Sequence, residues 1–146
     1  MLLVLRKDMK IYFAGSIRGG RDDQELYASA IAELQAYGTV LTEHLGSPSL
    51  TAQGESTGDA FIFERDMEWV RESDVVVAEV STPSLGVGYE IGQAQALGKP
   101  VLCLHRPQEG KRLSAMLSGN SYVVIREYQT IEDIQVLFKE YFGAKV

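Results

Sequence analysis

The stretch Asp74-Val75-Val76-Val77-Ala78-Glu79-Val80, followed after Ser81-Thr82-Pro83 by Ser84-Leu85-Gly86-Val87-Gly88-Tyr89-Glu90, decides the fold. Its first seven residues are an apolar, β-branched run of strand length, and the second segment reads as a helix entered through an N-cap serine. A strand that passes into a helix through a short turn is the unit of an α/β protein, whose chemistry gathers at the carboxyl ends of the strands. Glu90 is expected in the first turn of that helix, where the positive end of the helix dipole would keep its carboxylate ionised and nucleophilic. Ser84, Gly86 and Gly88 just upstream predict a cradle of backbone amides suited to an anion.

The same alternation extends in both directions. Apolar runs at 10–14, 39–42, 100–104 and 122–125 join 74–80 to predict five strands, most of them separated by segments long enough for a helix. Leu26, Ala30, Ile31, Leu34 and Tyr37 keep helical spacing over 22–37, and Gly38 supplies a stop. Thr130 and Asp133 form a capping-box pattern ahead of a helix over 131–142, with Ile134, Leu137, Phe138 and Tyr141 as its apolar stripe. The expected fold is a Rossmann-like, three-layer α/β sandwich around a five-stranded parallel sheet, in one domain spanning 1–146.

Composition narrows the partners. With 45% hydrophobic residues in 146 there is material for one core, and a formal charge of −6 disfavours a polyanionic partner such as a nucleic-acid polymer. Cys103, the single cysteine, sits in an apolar run and is expected to be a buried thiol, while His44 and His105 lack the spacing of a zinc site. No metal and no cofactor are expected. The start, Met1-Leu2-Leu3-Val4-Leu5 before Arg6-Lys7-Asp8, is too short and wrongly ordered for a signal peptide, and no apolar stretch approaches membrane length. A soluble protein without membrane contact is expected, located inside the cell in the cytoplasm or nucleus.

Candidate chemistry follows from side chains that are costly where they stand. In the helix expected over 59–73, Asp66 lies within the apolar face made by Ile62, Phe63, Trp69 and Val70, whereas Glu64, Arg65, Glu68, Arg71 and Glu72 point elsewhere. A carboxylate there must be paired or open into a cavity, where its proton affinity can be tuned. The first strand ends in Gly15-Ser16-Ile17-Arg18-Gly19-Gly20-Arg21, a glycine-rich turn with two arginines at the start of a helix. It reads as a phosphate loop, although it lacks the spacing of dinucleotide and Walker loops. Tyr12 alternates with core residues and could orient Glu90 through its hydroxyl, and His44 is taken as a loop or core histidine. The Ser-, Thr-, Gly- and Pro-rich stretch 45–58 is long enough to be either a flap or a passive loop.

With these motifs in hand, the chain resembles the 2′-deoxynucleoside 5′-phosphate N-hydrolases, relatives of the nucleoside 2-deoxyribosyltransferases. The resemblance is carried by Tyr12-Phe13-x-Gly15-Ser16-Ile17-Arg18-Gly19-Gly20-Arg21, Val40-Leu41-Thr42-Glu43-His44, residues 74–80, Pro83-Ser84-Leu85-Gly86-Val87-Gly88-Tyr89-Glu90 and Leu113-Ser114-Ala115-Met116. It implies a flavodoxin-like deoxyribosyltransferase fold and cofactor-free cleavage of the N-glycosidic bond of deoxynucleoside monophosphates. It further implies Glu90 as nucleophile, Asp66 as the second carboxylate and Tyr12 as the residue that positions Glu90. The 15–21 loop, Ser84 and Gly86 would contact phosphate and sugar. Ser114, Ala115 and Met116 would complete the site of a neighbouring subunit in a homodimer. Phe63 departs from the histidine that vertebrate members tend to carry there. Two other readings remain open: a deoxyribosyltransferase that passes the sugar to a second base, and a non-catalytic module that senses nucleotides.

Overall fold

The computed structural model describes residues 9–16, 23–46 and 58–143. Five parallel strands, β1 (Lys10–Ala14), β2 (Thr39–Val40), β3 (Val75–Glu79), β4 (Val101–His105) and β5 (Val124–Glu127), lie in the order β2-β1-β3-β4-β5. Helices α1 (Gln24–Leu34), α2 (Asp59–Glu72), α3 (Leu85–Ala96), α4 (Ala115–Ser118) and α5 (Ile131–Tyr141) connect or follow them. The chain reverses its direction of travel across the sheet between β1 and β3. In doubly wound sheets that switch point opens a crevice beyond the strand ends.

Alternation within the strands sorts the core into two faces. Ile11 and Phe13 of β1 pack with Tyr27, Ile31 and Leu34 of α1 and with Ile134 and Phe138 of α5. Tyr12 and Ala14 point to the opposite face, with Met67 and Val70 of α2 and Val87, Ile91 and Ala94 of α3. All five β3 residues are buried, as expected of a central parallel strand covered on both sides.

Several boundaries depart from the sequence expectation. β2 stops at Val40 instead of reaching residue 42, because Thr42 turns its hydroxyl onto β1: Oγ1 accepts the Phe13 N–H at 2.9 Å and donates to the Phe13 carbonyl at 2.6 Å. A side chain there completes what the ladder would otherwise supply. α1 ends at Leu34, short of 37, and Gly38 is needed for another reason than stopping it: a Cβ there would come within 2.4 Å of the Met9 carbonyl oxygen. β5 is displaced two residues toward the carboxyl end, with Arg126 and Glu127 paired to Leu104 and His105 at the sheet edge. The capping box on α5 forms as expected, with the Thr130 hydroxyl accepting the Asp133 N–H at 3.2 Å.

Candidate active site

A cavity of about 590 Å³ opens beyond β1 between α2 and α3. Tyr12 and Gly15 come from β1 and its exit, Asp59, Ile62, Phe63, Asp66 and Met67 from α2, and Ser84, Gly86, Val87, Tyr89 and Glu90 from the α3 end, with Thr42, His44 and Leu45 completing the wall. Asp66 and Glu90 therefore share one space. The side that presents Ile62, Phe63, Met67 and Val87 is apolar, so a ligand would meet few polar groups, each able to orient it.

The centre is the Tyr12 hydroxyl, which donates a hydrogen bond to Glu90 Oε2. Tyr12 is 1% exposed, and its ring is locked in the α2/α3 core, so the phenol is a fixed donor. Burial raises the Glu90 pKa from 4.5 to about 7; the Tyr12 hydrogen bond pulls it down, and the Asp66 charge pushes it up again. The Tyr12 phenol is itself driven far above its ordinary range, chiefly by burial and then by the Glu90 charge, so it remains a donor.

This overturns the expected electrostatics of Glu90. Ser84 is the N-cap, its Oγ accepting the Val87 N–H at 3.2 Å, so α3 begins at Leu85 and Glu90 stands in the second turn. Dipole stabilisation fades beyond the first turn, and desolvation prevails. The cradle is also smaller than expected. Val87 and Gly88 donate their N–H groups to the Ser84 side chain and carbonyl, and Gly88 is exposed and does not line the cavity. Helix geometry leaves the Leu85 and Gly86 amides without intrahelical acceptors.

Asp66 is half-buried, as its position in the apolar stripe required, but Arg65 does not point away from it. The Arg65 guanidinium contacts Asp66 Oδ1 through Nη2 at 2.9 Å and Nε at 3.0 Å, while its Cζ lies 4.7 Å from the centre of the Trp69 ring. His44, in a turn as expected, also lines the cavity, its ring centre 5.8 Å from that of Trp69. It enters through the short 3₁₀ turn Glu43–Gly46, at the end of the 40–44 motif.

Among the other expected residues, Gly15 lines the cavity, and Ser16 beside it is fully buried, its Oγ without a hydrogen-bond partner among the described residues. Ile17, Arg18, Gly19, Gly20 and Arg21 lie outside the described residues, as does most of the 45–58 stretch. Ser114, Ala115 and Met116 do not reach this cavity; they are exposed at the start of α4, Met116 by 81%. Among the described residues no group of histidine, cysteine or acidic side chains could hold a metal ion, and no helix is long and apolar enough to cross a membrane.

Comparison with known proteins agrees with this architecture. The chain is 58% identical over 135 residues to a 5-hydroxymethyl-dUMP N-hydrolase of Tetraodon nigroviridis, covering 88% of this chain and 94% of that protein. It is 52% identical over 139 residues to the mouse 5-hydroxymethyl-dUMP N-hydrolase, covering 92% of this chain and 80% of the relative. Among solved structures, a CMP N-glycosidase of Clostridium botulinum superposes with a TM-score of 0.66 at 20% identity, over 90% of this chain and 98% of that one, a likeness of fold. The family model for nucleoside 2-deoxyribosyltransferases matches residues 11–120, across β1, the cavity and α4, and the chain belongs to that family of enzymes.

Proposed function

We propose that the protein hydrolyses the N-glycosidic bond of 2′-deoxynucleoside 5′-monophosphates, releasing the base and 2-deoxyribose 5-phosphate. The observation that carries this reading is the pair of carboxylates in one cavity, with Glu90 held by the Tyr12 hydroxyl and Asp66 on the neighbouring helix. The names of the relatives favour a monophosphate substrate and make 5-hydroxymethyl-dUMP the first to test. A cavity of about 590 Å³ is of a size to hold such a nucleotide.

In the proposed mechanism the Glu90 carboxylate attacks the anomeric carbon as the bond to the base nitrogen breaks. Asp66 delivers the proton that the leaving base takes up. Water then attacks the glycosyl ester, gives its proton to Asp66, and restores Glu90, as in retaining glycosidases. A pKa near 7 suits Glu90 to this work, since a near-neutral carboxylate is both substantially ionised and basic enough to bond to carbon. Without a 2′-hydroxyl the oxocarbenium-like transition state forms more readily. The 5′-phosphate is proposed to rest at the Gly15–Ser16 corner and the free amides of α3, so its binding aligns the sugar with Glu90. The exposed Ser114–Met116 segment is proposed to complete the site of a second copy in a homodimer.

Chromatography of the protein with deoxynucleoside and ribonucleoside monophosphates tests the reading. Base and sugar phosphate should appear from the deoxy substrates, and excess acceptor base should leave the products unchanged. The family model favours one alternative, sugar transfer, which would show as a new nucleotide in that last experiment. No base release from any nucleotide would leave a nucleotide-binding module.

A further inference from the structure

A second polar cluster lies at the carboxyl edge of the sheet, on side chains that line no part of the catalytic cavity. Glu79, the last residue of β3, is 1% exposed. Its carboxylate accepts the Tyr128 hydroxyl at 2.6 Å, the Ser81 hydroxyl at 2.6 Å and the Ser81 N–H at 2.9 Å. Ser81 Oγ accepts in turn the N–H of Arg106, at 2.8 Å, just beyond β4. The Arg106 guanidinium reaches across to Asp23, with Nη2 2.7 Å from Oδ1. The side chains of that pair are only 28% and 17% exposed.

Asp23 is the residue from which α1 starts, and the polar chain continues through it. Its carbonyl accepts the Tyr27 N–H at 2.9 Å, and the Tyr27 hydroxyl accepts the Ser16 N–H at 3.1 Å. The Tyr27 ring lies directly beneath Gly15: a Cβ at that position would come within 3.0 Å of it. Gly15 is part of the cavity wall. An unbroken series of hydrogen bonds and contacts thus runs from the ends of β3, β4 and β5, through Arg106 and Asp23, to the corner of the cavity where the substrate phosphate is proposed to rest.

We infer that Arg106 and Asp23 are positioning residues for the phosphate end of the active site. They touch no reacting atom; they fix the start of α1, and through Tyr27 they fix Gly15 and Ser16. A buried carboxylate and a half-buried ion pair are poor sources of net stability, but they hold groups in one geometry well because every alternative leaves a charge unsatisfied. The inference rests on the phosphate placement proposed above. It adds that the geometry of that corner is set from the opposite side of β1, by a side chain after β4.

Steady-state kinetics of Arg106→Ala on a deoxynucleoside monophosphate provides the test, alongside the thermal shift that inorganic phosphate produces in each protein. The expected result is a rise in KM of about 10-fold or more, with any fall in kcat accompanying it, since a displaced phosphate corner both binds the substrate more weakly and aligns its sugar less well. The phosphate-induced thermal shift should shrink in parallel, Arg106→Lys should recover part of both, and Asp23→Asn added to Arg106→Ala should cost little more. A variant with unchanged KM and lowered kcat, or with an undiminished phosphate shift, overturns the inference, because a purely structural role predicts those outcomes. The thermal arm needs no turnover. A wild type that cleaves nothing but loses its phosphate shift on Arg106→Ala refutes the proposed activity and upholds the positioning role; a wild type without a phosphate shift refutes the positioning role.

Discussion

Glu90 and Glu79 each accept a hydrogen bond from a tyrosine hydroxyl, Tyr12 in one case and Tyr128 in the other, yet their surroundings are opposite. Glu79 is sealed from solvent, and its two oxygens receive three donors. Glu90 borders a cavity, shares it with Asp66, and is pushed by burial to a pKa of about 7. A saturated carboxylate is a structural fastening. A carboxylate desolvated, short of donors and facing open volume is under-stabilised as an anion, and that is the state from which bonding to carbon is favourable.

The largest expected consequence separates activity from stability at these two positions. Glu90→Ala should lower base release by several orders of magnitude while leaving the fold intact, measured by chromatography and circular dichroism. Glu79→Ala should do the reverse. It strands the Tyr128 hydroxyl and the Ser81 donors in a buried site, at a cost of about 2–4 kcal/mol, and should lower Tm by roughly 10 °C. Activity in the folded fraction of that variant should fall far less than in Glu90→Ala. Comparable activity losses in both variants would mean that the two carboxylates do not divide the work in this way.

The tyrosines sharpen the contrast at smaller scale. Tyr12→Phe removes the hydrogen bond that draws the Glu90 pKa down, so the pKa should rise further above about 7. The acidic limb of kcat/KM should move to higher pH, with a loss of about 10- to 100-fold at neutral pH, where less Glu90 is ionised and its orientation is relaxed. Tyr128→Phe should leave that limb in place and cost about 1 kcal/mol in a denaturant titration. A pH profile of Tyr12→Phe that coincides with wild type would dissociate the phenol from Glu90 function.

What the chain discloses about these regions differs for physical reasons. β1, β3 and β4 were legible to within about a residue because they are central, and their runs are apolar on both faces. β5 lies two residues beyond its apolar run because an edge strand keeps Arg126 and Glu127 in its ladder, and charge there hides the strand. Asp66 announced itself as a carboxylate on an apolar stripe, and Glu90 by its place after a strand and a cap. The turn that Glu90 occupies did not, because it depends on where Ser84 caps the helix. Helical angles alone point Arg65 away from the apolar face, but its long side chain folds back over Trp69 to meet Asp66. In sequence Glu79 is one more residue of a strand; its partner Tyr128 is separated from it by 49 positions, a pairing that only the sheet creates.

The subtlest expected effect concerns what an under-stabilised carboxylate costs the fold. Because the Glu90 pKa is about 7 in the folded protein against 4.5 for a solvated glutamate, the folded state binds a proton more tightly than the unfolded chain between those values. The stabilising contribution is therefore complete below pH 4.5 and disappears as pH rises through 7, where an anion is held in a site that favours the neutral form. Glu90→Gln keeps the shape and the acceptor for Tyr12 but never acquires the charge. It should melt about 5 °C higher than wild type at pH 8, and the difference should vanish toward pH 4.5. Differential scanning calorimetry across that range decides the matter. A variant that gains nothing at pH 8 would show that Glu90 is solvated as comfortably as a surface glutamate, and the contrast with Glu79 would then be one of location alone.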